Sequence, residues 1–143
     1  MRVLGLDIGS VRVGVAISDP SGTVATPRCV LDAKQLLRDP RELKAIVEEE
    51  GVELLVVGLP VTMAGEEGPQ ARSARVAGEA LKEVLGLPVE YFDERLTTVA
   101  ASSAMRSGGV RGRSQRGRLD AAAAAIMLQA YLDRRKARRS DGS

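Results

Sequence analysis

At 143 residues, with 28% charged side chains and a formal net charge of +2, the chain is long enough to bury one real core and too short for two comfortable ones. It has no histidine and one cysteine, which excludes a Ser-His-Asp or Cys-His triad, imidazole metal ligation and an internal disulfide, so any acid-base or metal chemistry must use carboxylates. The longest apolar run, Leu119 to Met127, is broken by Asp120, and nothing at the N-terminus reads as a signal peptide, so a cytoplasmic protein with no membrane partner is expected.

The run Arg2-Val3-Leu4-Gly5-Leu6-Asp7-Ile8 predicts a strand of aliphatic and β-branched residues with an acid near its end. Burying an ionised side chain without a partner is costly, so a carboxylate there is normally paired, protonated or coordinated to a cation. Strand alternation puts Val3, Gly5 and Asp7 on one face, and the glycine leaves open space beside the acid. The bland alternatives are that Asp7 opens the turn at Gly9-Ser10 or pairs with Arg12. The turn leads into a second strand, Val11 to Ser18, in which Val11, Val13, Val15 and Ile17 alternate with smaller or polar residues. A third strand is expected over Thr23 to Leu31, with Cys29 as a buried, inert thiol. Asp39-Pro40-Arg41-Glu42 reads as a helix start, with Asp39 as N-cap, proline at N1 and glutamate at N3, and Gly51 ends that helix.

Glu53 to Val57 reads as a strand whose run Leu54 to Val57 is unbrokenly apolar, as expected of a central strand covered on both faces by helices in a partly parallel sheet. The polar loop through Thr62, Gly65, Glu66, Glu67 and Gly68 suits a flap over a site or a plain surface connection. A helix from about Pro69 to Leu85 and a short strand, Val89 to Phe92, follow. Asp93-Glu94-Arg95-Leu96 then stands at a strand's carboxyl end, where open α/β sheets put their sites, before a helix starting at Thr97 or Thr98. Residues 106–118 read as a Gly/Ser/Arg loop, and the last helix is expected from near Leu119 to Lys136, anchored by Leu119, Ile126, Leu128 and Leu132. The expected organisation is one α/β domain over residues 1–136 with a basic, flexible tail at 137–143.

The modest net charge hides an asymmetry. Residues 1–105 hold 11 basic and 16 acidic side chains, and residues 106–143 hold 10 basic and 3 acidic. Arginine forks match phosphate geometry, so a polyanion is the natural partner. The cluster Arg106, Arg111, Arg113, Arg116 and Arg118 lies close in sequence to Asp120 and is suited to clamping a backbone beside a reactive centre, whereas Arg134 to Arg139 also suit a solvated tail. Three carboxylates, Asp7, Glu94 and Asp120, are candidates for a hard divalent cation such as Mg²⁺ or Mn²⁺. Asp19 and Asp93 compete with them, and spacing cannot choose among the five.

Leu4 to Asp19, Val57-Gly58-Leu59-Pro60, Asp93 to Thr98 and Leu119 to Ala124, in that order along nearly the whole chain, resemble the YqgF/RuvX family. The resemblance implies a ribonuclease H-like fold, a mixed sheet flanked by helices, related to the RuvC Holliday-junction resolvase. It makes Asp7, Glu94 and Asp120 the metal-binding catalytic acids and implies Mg²⁺ or Mn²⁺ as cofactor. It points to a metal-dependent endonuclease maturing the 5′ end of pre-16S ribosomal RNA or resolving four-way DNA junctions. A junction resolvase acts on two strands and would call for a homodimer, while a single-site RNA processor would not. RuvC relatives carry a further acid one helical turn after the last one; here Ala123 stands there, which argues against a fully protein-ligated two-metal site and for one tightly held ion plus a second recruited with the substrate phosphate. The arginines of residues 106–118, with Arg12, are the expected nucleic-acid contacts. The few aromatics, Tyr91, Phe92 and Tyr131, leave recognition to phosphates and shape. Two other classes compete: a non-catalytic ribosome-assembly factor that binds nucleic acid, and an actin-like nucleotide-binding domain, which also opens on a strand-Asp-x-Gly hairpin but needs a longer chain.

Overall fold

Strand β1 (Arg2–Ile8) occupies the middle of a five-stranded sheet in the order β3-β2-β1-β4-β5, in the computed structural model of the chain, which describes residues 1–97 and 113–142. β2 (Arg12–Ser18) and β3 (Ala25–Asp32) run antiparallel on one side of it, while β4 (Val52–Leu59) and β5 (Val89–Asp93) run parallel on the other. The sheet is therefore mixed, as expected. The parallel strands are joined through helices: α1 (Ala33–Arg38) and α2 (Arg41–Glu50) precede β4, and α3 (Pro69–Leu85) links β4 to β5. Residues Glu94–Leu96 form a single 3₁₀ turn, and α4 (Arg113–Gly142) is the last element.

The period-two pattern of the strands divides the core. Leu4, Leu6, Val13, Val15, Leu55 and Val57 face α1–α3, where Leu36, Leu43, Ile46, Ala74 and Leu81 are buried against them. Val3, Ala16, Leu54, Val56 and Phe92 face α4, which covers them with Ala124, Met127, Leu128, Tyr131 and Leu132. Gly5 lets α4 come close, because a Cβ there would lie 3.0 Å from the Leu128 Cβ. Fully buried, Leu128 contributes about 2 kcal/mol of apolar transfer to holding the helix on the sheet. Ser18 is the single buried polar residue among the described ones. Its hydroxyl accepts from the Val3 N–H at 2.8 Å and donates to the Asp19 carbonyl at 2.9 Å, so no lone polar atom is left inside.

Several boundaries differ from the expectations. Helix α1 is absent from the sequence reading: Asp32, which closes β3, is also its N-cap, its carboxylate accepting from the Gln35 N–H at 2.9 Å. Pro40, not Asp39, is the N-cap of α2, and Asp39 accepts from the Arg41 N–H at 3.2 Å from one position earlier. Gly51 ends that helix in the left-handed conformation (φ 65°), as expected. Cys29 is half-buried at the edge strand rather than enclosed, with its thiol pKa raised by desolvation. Ile126 is partly exposed, and the stripe that grips the sheet runs instead through Ala121, Ala124, Ala125, Leu128, Tyr131 and Leu132. The backbone is helical from Arg113, through much of the expected arginine loop, since arginine and glutamine are good helix formers and Gly117 is a single weak position. It stays helical past Lys136 to Gly142. The helix expected at Thr97 or Thr98 falls outside the described residues. Among the described residues no helix is long and apolar enough to cross a membrane.

Candidate functional site

β1, β4 and β5 are mutually parallel, so Asp7, Gly58-Leu59 and Asp93-Glu94 all reach the same, carboxyl edge of the sheet. Asp7 lies on the face of β1 that carries Val3 and Gly5, which is the face covered by α4. Glu94 follows β5 in the 3₁₀ turn and comes up close to Asp7, whose carboxylate disfavours its ionised form. Gly58 makes the approach feasible: a Cβ on it would stand 2.7 Å from Glu94 Oε1 and 3.2 Å from Glu94 Cγ. The Val57-Gly58-Leu59-Pro60 stretch thus serves the site by leaving out a side chain. Sequence reasoning missed that role, because it depends on the β4–β5 register that sets Gly58 beside Phe92.

Burial raises the Glu94 pKa, and the Asp7 and Asp93 charges push it further, to about 8. Two carboxylates this close hold a proton or a cation between them, so the donor set fits a divalent ion, which would replace the proton. In the unfolded chain Glu94 titrates near 4.5. The folded, metal-free protein therefore binds the extra proton, an advantage complete below about pH 4.5 and lost as pH climbs to about 8. Glu94→Gln is expected to remove that loss. In EDTA, wild-type Tm should fall between pH 5 and 8.5 by about 5 °C more than the variant's, equivalent to about 2 kcal/mol after discounting for the water that reaches this half-buried group. Equal slopes in thermal melts would sink the pairing.

The competing acids are occupied elsewhere. Asp19 folds the β2–β3 turn, accepting from the Thr23 and Val24 N–H groups at 2.8 Å and from the Ser21 hydroxyl, which hold its pKa far below the usual range. Asp93 is clamped by Arg95, whose Nε and Nη2 donate to it at 2.9 and 2.6 Å, and it caps the 3₁₀ turn through the Arg95 N–H. This ion pair lowers the Asp93 pKa. Arg95 also lies against the polar loop, since a Cβ on Gly65 would be 3.5 Å from its Nη1. That loop is closed by the Thr62 N–H to Glu66 carbonyl bond and tied to α3 by Glu67, which accepts from Arg75 at 2.6 and 2.8 Å.

Asp120 stands in the N-terminal part of α4, and its side chain is outside the described residues. The helix runs antiparallel to β1: Leu128 packs at Gly5 and Arg135 reaches the Met1 sulfur, so α4 approaches the carboxyl edge of β1 toward residue 120. Among the described residues no three ionisable groups form a metal cluster. Arg12 opens β2 at this same edge, exposed, its carbonyl accepting from the Gly9 N–H at 2.8 Å. Arg106 and Arg111 lie outside the described residues, as do the side chains of Arg113, Arg116 and Arg118 in the first turns of α4.

Comparison with known proteins is consistent across the whole fold. The family model described as "RuvX: Holliday junction resolvase" matches residues 1–134. A protein from Chloroflexus aggregans named "Putative pre-16S rRNA nuclease" is 46% identical over 134 residues, covering 94% of each chain. One of the same name from Moorella thermoacetica is also 46% identical, over 94% of this chain and 96% of the relative. Among solved structures, Thermus thermophilus RuvC in complex with Holliday junction substrate superposes with a TM-score of 0.59 at 17% identity, covering 94% of this chain and 96% of RuvC. The fowlpox virus Holliday junction resolvase does so with 0.57 at 12% identity, over 94% and 99%. At these identities the likeness is one of fold, which is that of the RNase H-like resolvases.

Proposed function

The chain belongs to the RuvX family of nucleases, and on that premise we propose that it is a divalent-metal-dependent endonuclease whose acids are Asp7, Glu94 and Asp120 and whose substrate is the 5′ region of pre-16S ribosomal RNA. The observation that carries the proposal is the placing of two acids from parallel strands, Asp7 on β1 and Glu94 after β5, side by side at the carboxyl edge, with Glu94 seated over Gly58. A bound Mg²⁺ or Mn²⁺ would supply Lewis-acid charge on the phosphate and a lowered pKa for the attacking water. Asp7, fixed on the central strand, and Glu94, seated over Gly58, would hold that ion, with Asp120 brought toward them by α4. Arg12 and the arginines of residues 106–118 hold the flanking backbone, so binding is steeply salt-dependent and tolerant of sequence. The scarcity of free aromatic surface supports this: Phe92 and Tyr131 are buried against each other, ring centroids 5.9 Å apart, and the half-buried Tyr91 ring is covered by Arg75.

The family's description favours a second reading, cleavage of four-way DNA junctions, in which two copies of the chain act together. Labelled pre-16S-like RNA and a four-way DNA junction, incubated side by side with Mn²⁺, Mg²⁺ or EDTA, separate the two. The expected result is metal-dependent cutting of the RNA by a monomer. Cutting of the junction alone, by a dimer, would move the assignment to the resolvase, and tight binding without cutting of either would leave an assembly factor.

A further inference from the structure

The arginines at the far end of α4 have no part in the site described so far, and the fold gives them one. Between β5 and the last turns of α4 lies an open groove of about 610 Å³, lined by Glu90, Tyr91, Phe92, Tyr131, Arg134 and Arg138. It begins at Asp93 and Leu96, which flank Glu94 in the chain, and gives onto a second recess of about 330 Å³ bordered by Arg135 and Arg139. Among the described residues β5 is the last strand of the sheet, and no neighbouring strand closes this side.

The chemistry of the lining is that of an anion track. Arg134 and Arg138 are exposed, stand one helical turn apart, about 6 Å along the axis, and take part in no ion pair among the described residues. Glu90, the acid facing them, has its carboxylate engaged by the Tyr131 hydroxyl, and Asp93 is neutralised by Arg95. Four arginines therefore stand against one carboxylate, with the balance clearly positive. The floor is closed, since Phe92 and Tyr131 are each only 5% exposed, and Tyr91, the third ring of the lining, is half-buried with its face against Arg75 and its hydroxyl on Glu79, which leaves bases little ring to stack on. Its volume is that of a site for a small molecule, enough for about one or two nucleotides, whereas a duplex presents a groove about 12 Å wide to be filled from outside.

We propose that this groove carries a single-stranded stretch of the substrate away from the cleavage site, with Arg134 and Arg138 each holding one backbone phosphate. The proposal rests on the nuclease reading and extends it. It makes the enzyme select substrates in which a single strand borders the scissile bond.

The test is fluorescence anisotropy of the full chain in EDTA with two labelled RNAs, a blunt duplex and the same duplex bearing a single-stranded extension. Arg134→Ala/Arg138→Ala is expected to bind the extended RNA about tenfold more weakly than wild type, with a salt slope smaller by about 1.4, the value for two single-strand phosphate contacts. Binding of the blunt duplex should change less than about twofold. Arg72→Ala/Lys82→Ala, two exposed cations on α3 across the sheet, should behave as wild type. Tm values confirm that each variant is folded. If wild type cuts RNA with Mn²⁺ and the α4 variant still binds the extended RNA as well as wild type does, the groove is overturned and the nuclease reading stands. An equal loss on both RNAs would also overturn it, as a general charge effect. Wild type that neither binds nor cuts would remove both.

Discussion

Asp7→Asn is expected to lower metal-dependent cleavage by about 10³-fold or more while the protein stays folded. The substitution keeps size and hydrogen-bonding reach and removes only the charge. In the metal-free protein above about pH 8, where Glu94 is ionised, that charge repels it, so its removal relieves repulsion there. Tm in EDTA should therefore hold or rise, whereas the stabilisation that Mn²⁺ gives the wild type should vanish, because a ligand stabilises only in proportion to its affinity. Calorimetric titration with Mn²⁺ and single-turnover cleavage read the two effects separately. A variant that melts well below wild type without metal would assign Asp7 a structural role. One that cuts normally would take the chemistry elsewhere.

Gly58→Ala should be nearly as damaging to activity, by about 10²-fold, although Gly58 itself offers no functional group. Its new Cβ would lie 2.7 Å from Glu94 Oε1 and 3.3 Å from Glu94 Cδ, distances that force the glutamate to move. The carboxylate is the free end of a flexible side chain, so the clash is relieved by swinging it aside. The sheet stays intact, and displacement of a catalytic group by about 1 Å is known to cost rate on this scale. Tm is expected to change by less than about 3 °C, and the loss should appear in the Mn²⁺ dissociation constant as well as in turnover. Full activity in Gly58→Ala would mean that Glu94 works from some other position.

The sequence was legible wherever a local rule decided the structure. The five strands follow from β-branched runs and alternation, α3 from its length and α2 from its glycine stop, because each signal lies within a few residues. Helix α1 was missed since its cap, Asp32, is also the last residue of β3, and six residues give no periodicity to read. Asp7 stood out as a charge inside a strand. Glu94 did not stand out from Asp93, because what separates the two is tertiary: Arg95 takes one, and the other sits over Gly58 beside Asp7. Asp19 was likewise removed from contention by its own turn. The expected arginine loop failed from Arg113 onward because helix propensity, summed over several arginines and a glutamine, outweighs one glycine.

The contact between Leu128 and Gly5 joins residues near opposite ends of the chain, and it orders events during synthesis. When all five strands have left the ribosome, Val3, Leu54, Val56 and Phe92 still form an uncovered apolar face, since α4 has not yet been made. Asp120 is still missing as well. The nascent chain thus passes through a stage in which its sheet is complete in sequence but sticky on one side. That face is protected from other chains only once residues 121–132 of α4 have been made and can fold back over it.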